Sequence, residues 1–136
     1  MVPGKTIISE EVFAQLVKVA VDKVDHAELA EEAGSSFRYL AKRMTDKFTY
    51  PIDVKKSDAA VEENGTVTKG HASFEIRINV EYGSAIPDVL EDLRQAIVKE
   101  VVFMTDYLVD YVNVIVVKLL DKKEEAATET VEQEAE

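Results

Sequence analysis

Residues 71–82 alternate polar and apolar side chains without a break. Ala72, Phe74, Ile76, Ile78, Val80 and Tyr82 are apolar, and His71, Ser73, Glu75, Arg77, Asn79 and Glu81 stand between them. Successive side chains of a strand point to opposite faces, so this run predicts a long strand with one buried and one polar face. Such a strand needs neighbours on its edges and a layer over its apolar face. The rest of the chain has to supply both.

Two helical patterns can form that layer. Ser9 reads as an N-cap, with Glu10 and Glu11 in the first turn, where carboxylates suit the positive end of the helix dipole. Ile8 and Phe13 have the spacing of a hydrophobic staple. Phe13, Leu16, Val17, Ala20 and Val24 then share one face, which predicts a helix over residues 10–24. Further on, Pro87 suits a helix start, with Asp88 and Glu91 near the positive end. Ile86, Leu90, Leu93, Ile97, Val101, Met104 and Leu108 follow at helical spacing. Val98, Val102 and Phe103 widen this stripe, which predicts a helix covered on more than one side.

Shorter signals fill the remainder. Residues 6–8 read as a short extended segment, and Gly34, Ser35 and Ser36 break the pattern after the first helix. A second short helix with Phe37, Leu40, Met44 and Phe48 is expected before Pro51 stops it. Residues 52–57 alternate as a strand, and Glu63, Asn64 and Gly65 mark a turn. The segment between Gly65 and Gly70 reads as a hairpin connection. Residues 112–117 are almost continuously apolar, which predicts a central strand covered on both faces. The expected fold is α+β: a two-layer domain over residues 1–120, with helices packed on one face of a small mixed sheet. Residues 121–136 hold seven acidic residues against two lysines and one valine, which predicts a disordered acidic tail.

Composition excludes several classes of function. The chain has no cysteine, so disulfide frameworks, Cys-ligated zinc, iron–sulfur clusters and thiol nucleophiles are ruled out. Its net charge of −11 repels phosphate backbones and opposes anionic lipid. The first residues show no basic stretch followed by an apolar core, so no secretory signal is expected. Residues 114–117 form the longest apolar run, far short of the ~20 residues a membrane-spanning helix needs.

Candidate chemistry is sparse. The two histidines are His26, near Asp22, Asp25 and Glu28, and His71, on the polar face of the long strand. A solvated surface is the plainer reading of each. Glu10 with Glu11, and Glu62 with Glu63, make formal carboxylate pairs, but both fall at predicted element ends. No G-x-S-x-G elbow, dinucleotide fingerprint or phosphate loop is present. The order of elements invites comparison with KH-type RNA-binding domains, but no two glycines stand three residues apart, as their G-x-x-G loop demands. No cofactor and no metal are expected.

Residues 8–12, Ile-Ser-Glu-Glu-Val, and residues 80–87, Val-Glu-Tyr-Gly-Ser-Ala-Ile-Pro, resemble the alkaline shock protein family of envelope stress proteins in Gram-positive bacteria. Residues 109–117, with Val112, Asn113 and Val114 at their centre, resemble that family's closing strand. The resemblance covers residues 6–120, in outline only between residues 25 and 70. The chain departs from the family in lacking a glycine helix stop around residues 104–108, and a glycine-rich segment after the first helix.

The resemblance implies a non-enzymatic, cytoplasmic stress response protein. It would act as an oligomeric scaffold held near the cell envelope by an integral membrane anchor protein. No catalytic residue carries over. Glu81, Tyr82, Gly83, Pro87 and Asn113 match the motifs, and read first as a strand end, a tight turn, a helix start and a polar strand contact. Self-association through the sheet is expected, because a small sheet leaves an edge. Glu75 and Arg77 would set its register by opposite charge. No nucleic acid and no direct membrane insertion are expected. The alternative is a small acidic ligand-binding domain or enzyme using the polar strand face around His71, Glu75 and Arg77.

Overall fold

The computed structural model describes residues 2–30 and 51–121. The expected short helix around Phe37 and Phe48 and the acidic tail beyond Asp121 lie outside the described residues.

Among the described residues the element order is β1 (Gly4–Thr6), α1 (Glu10–Asp22), β2 (Ala27–Leu29), β3 (Ile52–Ser57), β4 (Ala59–Val61), β5 (Val67–Thr68), β6 (His71–Glu81), α2 (Ile86–Thr105) and β7 (Leu108–Leu120). The fold is α+β, as the sequence predicts. The strand read from strict alternation is β6, and it is the centre of the main sheet. On one side β2 and β3 pair with it antiparallel, end to end, and on the other β7 runs parallel to it. The break between β2 and β3 falls at Arg77, whose carbonyl accepts from the Ala30 N–H and whose N–H donates to the Pro51 carbonyl. A second, antiparallel sheet orders as β1-β4-β5, where a single sheet was expected. It arises because the chain of β3 carries on past Asp58 into β4, which pairs with β1 instead of β6.

Both helix starts follow local chemistry. The Ser9 hydroxyl accepts from the Val12 N–H at 3.3 Å and caps α1. Ala85 caps α2 without a side-chain bond, and Pro87 sits in the first turn, one residue later than the first helical position. Phe13, Leu16, Val17, Ala20 and Val21 of α1 are buried with Val89, Leu93, Ile97 and Val101 of α2. They cover Ala72, Phe74, Ile76, Ile78 and Val80, the apolar face of β6. Phe13 stands between two rings, 6.2 Å from Phe74 and 5.2 Å from Tyr107 by centroid.

Three expectations need correction. The second long helix ends at Thr105, so Leu108 opens β7 and is not on the helical stripe. The missing glycine stop is replaced by Asp106 at φ 65°, whose N–H donates to the Val102 carbonyl at 2.9 Å. Nor is α2 covered on several sides within the chain: Val98, Val102, Phe103 and Met104 are exposed. Finally, β7 is an edge strand and not a central one, with Tyr111, Ile115, Val117 and Leu119 each 40% exposed or more. Its continuous apolar character reads as burial on both faces, but the helices cover only one.

Candidate functional site

The polar face of the main sheet is open. Alternation places His71, Ser73, Glu75, Arg77 and Asn79 there on β6, and pairing sets Lys55 and Asp53 of β3 beside Ser73 and Glu75. On the other side Tyr111, Asn113, Ile115 and Lys118 of β7 lie opposite Ser73, Glu75, Arg77 and Asn79. Parallel register therefore brings Glu75, Arg77 and Asn113 together, three of the residues singled out from the sequence. Glu75 and Arg77 form a loose ion pair at 3.9 Å, both partly exposed. They project from a central strand, so they do not lie on a free sheet edge.

This face carries a polar mismatch. Nη1 of Arg77 and Oδ1 of Asn79 are buried and have no hydrogen-bond partner among the described residues. Asn79 as a whole is only 5% exposed. A buried polar atom without a partner costs about 1–3 kcal/mol, which a bound group able to donate to Asn79 and accept from Arg77 would relieve. The sequence places Asn79 on the polar face but cannot show that the amide is closed off from water. Tyr111 and Ile115, exposed beside this pair, were missed because β7 is apolar on both faces and hides its alternation.

The other singled-out residues gather at the far end of β6. Glu81 closes the strand with its carboxylate 2.7 Å from the His26 Nδ1. Tyr82 is largely exposed, and its N–H donates to the Leu120 carbonyl. Gly83 turns the chain at φ 101°, in the left-handed region where glycine is unstrained. Pro87 then starts α2. His26 itself sits at φ 72°, so the chain leaves α1 through a histidine where a glycine is the usual solution.

His71 pairs with Asp110 of β7, Nδ1 to Oδ1 at 2.8 Å. His71, Glu75 and Arg77 are strung along one strand over about 20 Å. None of them lines the open groove of about 1000 Å³ between the end of α1 and α2, where Lys23, His26, Asp88, Lys99, Glu100 and Phe103 stand. Among the described residues no group of three or more His, Asp or Glu is placed to hold a metal ion. No helix among them is long and apolar enough to cross a membrane.

No curated protein and no solved structure matches the chain significantly. A family model does, over residues 2–120, from the residues before β1 to the last residue of β7. That family is not a known enzyme family. The match spans both sheets, both helices and the motif residues at either end of β6, and the chain belongs to the alkaline shock protein 23 family, with a cell envelope-related function.

Proposed function

We propose that this protein is a non-enzymatic interaction module of envelope stress response, a scaffold working at the cytoplasmic face of the membrane. It is held there by an integral membrane partner, and its own acidic surface keeps it off anionic lipid. The observation that carries this reading is the open sheet face. Buried, unpaired Arg77 Nη1 and Asn79 Oδ1 sit beside exposed Tyr111 and Ile115, a combination that favours a protein partner supplying both hydrogen bonds and apolar contact. Membership of a cell envelope-related family supports the location.

The test is a pull-down from detergent-solubilised membranes with the full chain as bait, in parallel with an Arg77→Ala, Ile115→Asp variant. Recovery of an integral membrane protein by the wild type, and its loss with the variant, is the expected result. Recovery of none by the wild type, or equal recovery by both, overturns the reading.

A further inference from the structure

The two edges of the main sheet differ in kind. One is made of β2 and β3, three and six residues long, broken at Arg77, bounded by Pro51 and carrying Asp53, Lys55 and Lys56. Short strands, charges and a proline are devices that keep an edge from pairing. The other edge is β7, thirteen residues long, with no proline and β6 as its one strand neighbour. Apart from Asp110, Asn113 and Lys118 it is built of apolar residues and Tyr111. Arg94 of α2 reaches it, donating Nε to the Val112 carbonyl at 3.0 Å, and that carbonyl keeps a second lone pair.

The two charges of β7 are placed symmetrically. Asp110 lies four residues before Val114 and Lys118 four residues after it, and Val114 is the midpoint of the strand. An antiparallel copy of this strand, related by a two-fold axis through Val114, therefore sets Asp110 against Lys118 of the second copy twice. The same register sets Val112 against Val116, Tyr111 against Val117, Asn113 against Ile115 and Leu108 against Leu120. Directly opposed residues share a face in such a pair, so the valines extend the helix-covered core and Tyr111, Asn113 and Ile115 extend the open face. The extra residues that interrupt pairing with β6, Asp110 and Val117, bracket the regular run 111–116 on which the axis falls. Lys118 makes no ion pair among the described residues, and Asp110 offers a second carboxylate oxygen beyond the one near His71.

The geometry points to a second copy of this chain as the occupant of the β7 edge, joined antiparallel about Val114 into one continuous sheet across a two-fold dimer. This is an isologous contact, self-complementary in charge and closed after two subunits. It rests on the reading of the protein as an interaction module and names one of its partners. It replaces the expectation that Glu75 and Arg77 set the register, since neither is on an edge.

Sedimentation of the full chain tests it by charge exchange. Asp110→Lys places lysine against lysine, and Lys118→Asp places aspartate against aspartate, so each variant alone should dimerise roughly tenfold more weakly than wild type. Mixed in equal amounts, the two restore both opposite-charge pairs in the heterodimer, and association should return to near the wild-type level. Because the chain has no cysteine, a second experiment reads the register directly. Oxidising a mixture of Asn113→Cys and Ile115→Cys proteins should give the mixed disulfide faster than either homodimer. A wild type that stays monomeric at high micromolar concentration overturns the inference, as do single charge variants that associate like wild type or homodimers that form as fast as the mixed species. A monomer that still recovers a membrane protein would leave the proposed function standing and remove only this contact.

Discussion

Gly70 and Tyr107 occupy each other's space: a Cβ built on Gly70 would lie 2.4 Å from Cε2 and Cζ of the Tyr107 ring. The ring has nowhere to go. It is 1% exposed, stacks on Phe13 and donates its hydroxyl to the Thr6 carbonyl at 3.0 Å. The Leu108 N–H also donates to the Gly70 carbonyl, so the glycine ties the start of β6 to the start of β7. Through Tyr107 the same spot links the main sheet, α1 and the chain of β1.

Gly70→Ala should therefore destabilise the domain although it adds a single methyl group. Forcing an atom into a packed core costs about 1–3 kcal/mol, and the three contacts that fix Tyr107 put this site at the upper end. Chemical denaturation should show a lower midpoint with an unchanged slope. A variant as stable as wild type would mean that the Tyr107 ring can swing aside.

Asp106 gives a second test of backbone against side chain. It stops α2 in the left-handed region, and its carboxylate pairs with Lys69 at 2.9 Å on the surface. An exposed pair contributes about 0–1 kcal/mol, while the left-handed conformation disfavours side chains, β-branched ones most. Asp106→Gly should match or exceed wild type in melting temperature. Asp106→Val should fall below it by roughly 1–2 kcal/mol. The reverse order would make the Lys69 pair, and not the backbone, the reason for aspartate here.

How legible each element was follows from what surrounds it. Every second residue of β6 is polar, so its two faces could be read directly, and Ser9 announced α1 through its own hydroxyl. The Glu63, Asn64 and Gly65 turn was equally plain, and Gly65 takes φ 92° there. The position of β7 was not legible, because Tyr111, Ile115 and Val117 are apolar and yet exposed. A strand apolar on both sides looks alike in the middle of a covered sheet and at an open edge. Asp106 was hidden for a different reason, since sequence marks helix stops chiefly by glycine. The closure of Asn79 and of Arg77 Nη1 depends on neighbours from three strands, which no local pattern encodes.

Ile97→Asp should unfold the domain. Ile97 is fully buried, in the middle of the stripe that α2 lays on the sheet. An unpaired carboxylate there costs several kcal/mol on top of the lost apolar contact, a large part of the ~5–15 kcal/mol that holds a domain together. Near-ultraviolet circular dichroism should lose its native signal at 25 °C. Ile97→Val, which keeps the shape and removes one methyl group, should cost only about 0.5–1.5 kcal/mol. A cooperative, native-like transition in Ile97→Asp would show that this face of α2 does not carry the core.

Asn79→Val should act in the opposite direction. Its Oδ1 is buried without a partner, so the amide weakens the isolated domain in a strand where a β-branched residue packs well. Removing a buried, unsatisfied group should stabilise by about 1 kcal/mol, or roughly 3–6 °C in melting temperature. The same change removes the acceptor that a partner on the open face would use. Pull-down recovery should then fall as the melting temperature rises, a trade expected of a residue kept for binding and not for stability. If Asn79→Val lowers the melting temperature, the amide is supporting the sheet. If stability rises with recovery unchanged, the partner does not use Asn79.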